Sequence, residues 1–208
     1  MITFLLLAVL ALLLFFVVKA LFKKDPVPPP KPVEDLANLK ITQARVGDNV
    51  SISGAGEGYA DLDFTIDHRH RYESGEDVWF EYTGMYRNKR VYLDVFETDE
   101  IEVYAVLDGR NYEIRELGLS EEDLGGMDEQ QNPANYFEFE GKKWYYILSR
   151  EVGLFQDGQG DGDGFYNWEF KEDGNTGRFL SVQKWEGRPF EAQISRKISA
   201  DTITIYRG

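Results

Sequence analysis

Between Phe155 and Trp168 the chain reads FQDGQGDGDGFYNW, which sets Asp157, Asp161 and Asp163 among glycines. Carboxylates this close on a loop suit calcium, a hard cation that takes about six to eight oxygen ligands. Counted from Asp157 as a helix-flanked calcium loop, Gln159, Asp161, Gly162 and Asp163 fall on ligand or turn positions, but the ninth place is Phe165 and the twelfth Trp168. Half the ligand set is missing, and strand patterns flank the loop. The stretch therefore reads first as a long hairpin connection, with no cofactor expected beyond opportunistic calcium.

His68 and His70 are the two histidines of the chain. Their i, i+2 spacing on a strand directs both to one face, as a metal pair requires. A transition-metal site needs a fuller ligand set, so a strand end leaving the core is the preferred reading. Without cysteine, and with both histidines clustered, nucleophile–base–orienter arrangements lack material. An enzyme would have to work with paired carboxylates, and no pair stands out. Trp79, Trp144, Trp168 and Trp185 lie inside strand patterns, where core packing is the first explanation. Trp79 and Trp168, with Glu97 and Glu186, are the candidate ligand or partner residues. Aromatic faces beside carboxylates suit a polyamine or a basic peptide.

Charge agrees with that chemistry. From Val33 onward 19 Lys and Arg face 36 Asp and Glu, a net charge of −17. Such a body repels nucleic-acid phosphate and an anionic leaflet, so nucleic-acid binding is not expected. An acidic surface also simply confers solubility.

The segments that carry these residues divide the chain. Residues 1–24 read as a transmembrane helix with a basic collar. The uncharged run from Ile2 to Val18 extends through Phe22 past Lys19, and at about 1.5 Å per residue it matches a bilayer core of about 30 Å. A cleaved signal peptide competes, but no positive region precedes the apolar run. Lys19, Lys23, Lys24 and Lys31 all follow the span. The expectation is thus an inner-membrane protein anchored through residues 2–22, with its N-terminus outside and its C-terminal domain cytoplasmic. Residues 25–33, with prolines at 26, 28, 29, 30 and 32, form a semi-rigid stalk.

Residues 34–208 read as mainly β. Period-two alternation appears from Asn49, Asp61, Asp77, Lys89 and Ile101, and again from Tyr136, Lys142, Phe165, Arg178, Phe190 and Thr202. In the second of these, Phe64, Ile66, His68, His70 and Tyr72 are placed on one face. The halves, about 39–108 and 135–208, form a weak repeat at an offset of 89: Trp79 meets Trp168, Val91 Leu180, Leu93 Val182, Glu97 Glu186, Ile101 Phe190 and Glu102 Glu191. The predicted fold is an internally duplicated antiparallel meander, two halves of about five strands, forming a sandwich or a barrel. In the linker 109–134, Ser120 followed by three acidic residues predicts a short helix ending near Gly125 and Gly126. A helical turn is predicted at 33–39.

The run NPANYFEFEGKKWYYILSREVGLF, followed by WEF, LSVQKWEG and FEAQISRKI, resembles the bacterial family catalogued as domain of unknown function 4178, over roughly residues 39–206. The resemblance implies a β-rich domain, often accompanying membrane-associated components and polyamine-synthase-like proteins in bacterial gene neighbourhoods. It implies no activity and no functional residue. The expected function is a membrane-anchored binding or scaffolding module for a membrane-associated protein partner or a cationic ligand. The alternative is a carboxylate-based, metal-assisted or metal-free enzyme on a cationic or amide substrate. A convergent polar cluster in an inward-facing cavity would favour the enzyme, an exposed apolar patch the partner.

Overall fold

The structure, a computed structural model, describes residues 35–208. The expected span, collar and stalk lie outside the described residues. Among those described, no helix is long and apolar enough to cross a membrane.

Eleven strands are found there: β1 (Asn49–Ile52), β2 (Leu62–Ser74), β3 (Asp77–Tyr86), β4 (Lys89–Glu97), β5 (Ile101–Val106), β6 (Tyr136–Phe139), β7 (Lys142–Phe155), β8 (Asp163–Glu172), β9 (Arg178–Trp185), β10 (Phe190–Ile198) and β11 (Ile203–Tyr206). Helix α1 spans Glu121–Gln130. All strand pairs are antiparallel, in the order β11-β1-β2-β3-β4-β5-β10-β9-β8-β7-β6, with β2 also paired to β7. That additional pairing, Arg71 to Phe155 through Glu73 to Gly153, partly closes the sheet into a ring of eight strands. The opposite junction is equally short, joining Val103–Ala105 of β5 to Arg196–Ile198 of β10. A ring of eight strands encloses a lumen just wide enough for side chains or one small ligand.

The ladder order of β1–β5 recurs in β6–β10. Bulges interrupt β2–β3 between Ile66 and His68, and β7–β8 between Tyr146 and Leu148. Superposing these bulges sets β2 on β7 at an offset of 80 (Ile66, Tyr146) and β3 on β8 at 86 (Gly84, Phe170). The uniform offset of 89 is therefore corrected. It holds for Val91 and Leu180 and for Leu93 and Val182, but Trp79 stands with Phe165 and Tyr82 with Trp168. The differences are connections six residues longer between β7 and β8 and three residues longer between β8 and β9, and indel lengths in turns cannot be read by matching tryptophans.

The bulge corrects a second expectation. An extra residue in one strand reverses which face follows, so Phe64 and Ile66 enter one core while His68, His70 and Tyr72 turn toward the ring interior. The outer ring face of the first half is buried under β1 and β11, and that of the second under β6, the linker and α1. Leu62, Phe64, Ile66, Val91, Leu93 and Val95 share one cluster, and Trp144, Phe170, Leu180 and Val182 share the other, with Leu117 and Leu124 from the linker. Each such large apolar side chain contributes about 1.5–3 kcal/mol on burial. A third cluster, Tyr72, Trp79, Val152 and Phe165, lies between the halves.

Ser120 caps α1, accepting from the Asp123 amide at 3.2 Å while Asp123 accepts from the Ser120 amide at 2.9 Å. The helix runs through Gly125 and Gly126 to Gln130, beyond its predicted end. Tertiary contact overrides the low helix propensity of glycine there: Leu124 is fully buried, and its carbonyl accepts from the Trp168 indole at 3.0 Å. Of the helical turn expected at 33–39, the described residues Asp35–Asn38 form a single turn closed by the Asn38 amide donating to the Asp35 carbonyl at 3.3 Å.

A carboxyl pair in the ring lumen

Inward-facing side chains of the eight ring strands enclose a cavity of about 290 Å³. Its first wall is β3 and β4, where Glu81 and Asp94 are direct cross-strand partners. Facing side chains in such a pair stand about 4.5–5.5 Å apart at Cβ. The matching wall, β8 and β9, carries Asn167 and Gln183, which are also direct partners. Amides thus occupy in one half the register that carboxyls occupy in the other. Amide and carboxyl have nearly the same shape, so packing does not demand the acids.

Aromatic rings belt the lumen. Tyr72 stacks on Trp79 at 5.4 Å and Trp79 on Phe96 at 5.2 Å, and Tyr104 meets Phe96 and Phe179 edge-on at 5.7 and 5.0 Å. Opposite them Phe165 stacks on Trp185 at 4.4 Å.

Glu81 and Asp94 keep some accessible area because they border the cavity, yet protein surrounds both. Burial pushes the Glu81 carboxyl up to about 8, with the Asp94 charge adding to the rise. Burial likewise raises Asp94 to about 7, with Glu169 across the lumen as the next cause. Both carboxyls are thus biased toward the protonated form and titrate as a coupled pair. The Tyr72 hydroxyl donates to Glu81 at 3.2 Å, and burial pushes its own pKa far above that of a free phenol.

The cations nearby are engaged elsewhere. Arg150 donates to Asp77 at 2.7 Å and Glu169 at 3.3 Å, and lies 5.0 Å from the Trp79 ring centre. Arg90 is held by Asp67 at 2.8 Å and Thr83 at 3.1 Å, and Lys197 by Glu102. Among the described residues no ion pair includes Glu81 or Asp94.

Of the ligand candidates named from sequence, only Trp79 borders this cavity. Trp168 points to the outer core beneath α1, and Glu97, at the end of β4, and Glu186, just past β9, are exposed. The candidate metal residues are brought together in part. Asp157 accepts from His68 Nδ1 at 3.1 Å and donates its amide to His70 Nδ1 at 3.1 Å, while Asp161 stays exposed on the loop and Asp163 at the start of β8. Among the described residues no group of three His, Cys, Asp or Glu is arranged to hold a metal ion.

Glu81, Asp94, Glu169, Asn167 and Gln183 were not singled out from the sequence. A signal existed: Glu81 is in phase with Trp79, and Asp94 with Phe96, on strands whose other face is also apolar. A carboxylate in phase with large aromatics on a strand apolar on both faces is a buried-acid signal.

No curated protein and no solved structure matches the chain. With residues 46–200 matching its model, the chain belongs to the family described as domain of unknown function (DUF4178).

Proposed function

We propose that this protein is a membrane-anchored cytoplasmic binding or scaffolding module whose β domain receives a small organic cation in the ring lumen. One observation carries the reading: Glu81 and Asp94 face the cavity side by side with no cationic partner, inside a belt of aromatic rings. Two desolvated carboxyls repel each other, and a bound cation relieves both the repulsion and the lost hydration. Ring faces add attraction for an ammonium group. A cavity of about 290 Å³ suits a polyamine or one basic side chain better than a folded peptide. The anchor expected at residues 2–22 would hold the site near a membrane-associated partner. The recurring ladder order supports descent from a duplicated five-strand meander.

Calorimetry of the full chain with spermidine and with putrescine tests the reading. The expected result is saturable binding that Asp94→Asn weakens tenfold or more, about 1.4 kcal/mol. Absence of binding heat with either amine would sink it.

A second reading, a carboxylate-based enzyme on a cationic or amide substrate, draws on the same pair. One carboxyl holding a proton while its neighbour is ionised is the division of labour that acid–base catalysis uses. Mass spectrometry separates the two: a bound amine recovered unchanged after long incubation supports binding, and a cleaved or transferred product supports the enzyme.

A further inference from the structure

We propose that the lumen takes up a primary ammonium group in exchange for a proton held between Glu81 and Asp94. The inference rests on the cation reading of this site and adds its ligand class and its regulation.

Geometry comes first. The two carboxyls are register partners on adjacent strands, and their counterparts in the other half are the neutral pair Asn167 and Gln183. Where the second half has amides that need no counter-charge, the first half has acids that do. The Asn167 side chain is already committed, donating to Glu169 at 3.1 Å and accepting from Ser181 at 2.7 Å. Gln183, Gln193 and Ser195 also border the cavity, so oxygen acceptors face the acid wall. An ammonium group, with three N–H donors, can serve several of these acceptors. A quaternary ammonium brings charge but has no N–H to give to these acceptors.

The surrounding charges decide what fills the acid wall when no amine is present. From β2 come Tyr72, a donor to Glu81 that stays protonated, and His70, the register partner of Glu81, which burial biases toward its neutral form. From β5 come Tyr104, also raised, to about 12, and Glu102, neutralised by Lys197. β8 adds the Glu169 charge, and β7 adds Arg150, shared between Glu169 and Asp77. On β4 itself Arg90 lies within electrostatic reach of Glu81 but is bound to Asp67, while Tyr92 is neutral and raised. β9 and β10 contribute serine and glutamine side chains to the lining, none of which titrates. The local balance is negative and no residue supplies the missing positive charge, so a proton does. An entering ammonium takes over that role and the proton leaves to solvent, one charge for one charge.

The experiment is calorimetry of the full chain with spermidine, putrescine, a lysine-containing peptide and tetramethylammonium, each in buffers of different ionisation heat and from pH 6 to 8. Exchange predicts release of up to about one proton per amine and affinity rising up to about tenfold per pH unit. It also predicts weaker binding of tetramethylammonium than of putrescine. Tight binding of spermidine but not of the peptide marks a free polyamine as the source; the reverse marks a protein side chain. Binding that is flat in pH, with no proton released, overturns the exchange and leaves the cation reading standing. No binding by any amine overturns that reading and the exchange with it. Asp94→Asn, isosteric with the aspartate it replaces and an amide like its counterpart Gln183, is expected to keep its near-ultraviolet dichroism while losing most of the proton release. If that variant does not fold, carbon-13 titration of the side-chain carboxyls in the unliganded wild type decides: no Asp or Glu carboxyl titrating above pH 6 overturns the exchange.

Discussion

Glu81 couples the lumen to pH through stability as well as binding. Its carboxyl is raised by burial in the folded chain and ordinary in the unfolded one, so the native state binds the extra proton between about pH 5 and 8. The stability associated with that proton is present at the acid end and is lost as pH rises through the folded value. His70, lowered by burial, works in the opposite direction below neutrality. A comparison with Glu81→Gln separates the two. Denaturant unfolding across pH 5–8 is expected to show wild type losing up to about 1 kcal/mol per pH unit relative to the variant. A difference that does not change with pH would remove the proton from Glu81. The same residue shows how far side-chain chemistry was legible. Trp79 was identifiable as a ligand candidate because tryptophan announces itself, whereas Glu81 two positions on looked like one of many surface acids.

At the scale of elements, α1 closes the outer core of the second half. Leu124 and the Trp168 indole meet under it, and the Tyr166 hydroxyl donates to Asp128 at 2.6 Å. The Ser120 cap holds its first turn, where three acidic residues favour the positive end of the helix. Ser120→Ala is expected to cost about 1 kcal/mol and to lower the melting temperature without altering amine affinity, because α1 does not border the lumen. A loss of amine binding in this variant would show that the helix acts on the site. The strands were legible as elements: each of the eleven begins within two residues of its expected start. The bulges were not. An added residue leaves the hydrophobic alternation nearly intact over each short run, and only the partner strand reveals the slip.

For the whole molecule, the two junctions matter more than any one strand. β5–β10 and β2–β7 each contribute three residue pairs, and the cluster of Tyr72, Trp79, Val152 and Phe165 draws on both halves. Neither half can close the ring alone. Separate expression of residues 35–108 and 109–208 is therefore expected to give chains without a cooperative melt, whereas the full chain unfolds with coincident fluorescence and dichroism transitions. Two separable transitions in the full chain would contradict this account. By itself the sequence determined the β class, the strand positions, the capped helix and the acidic balance, because alternation, turn residues and caps act over a few neighbours. The tertiary structure alone decided the ring, the change of face in β2 and the carboxyl pair of the lumen. Those depend on which strands meet across gaps of tens of residues, and burial of a charge is a property of the enclosure around it.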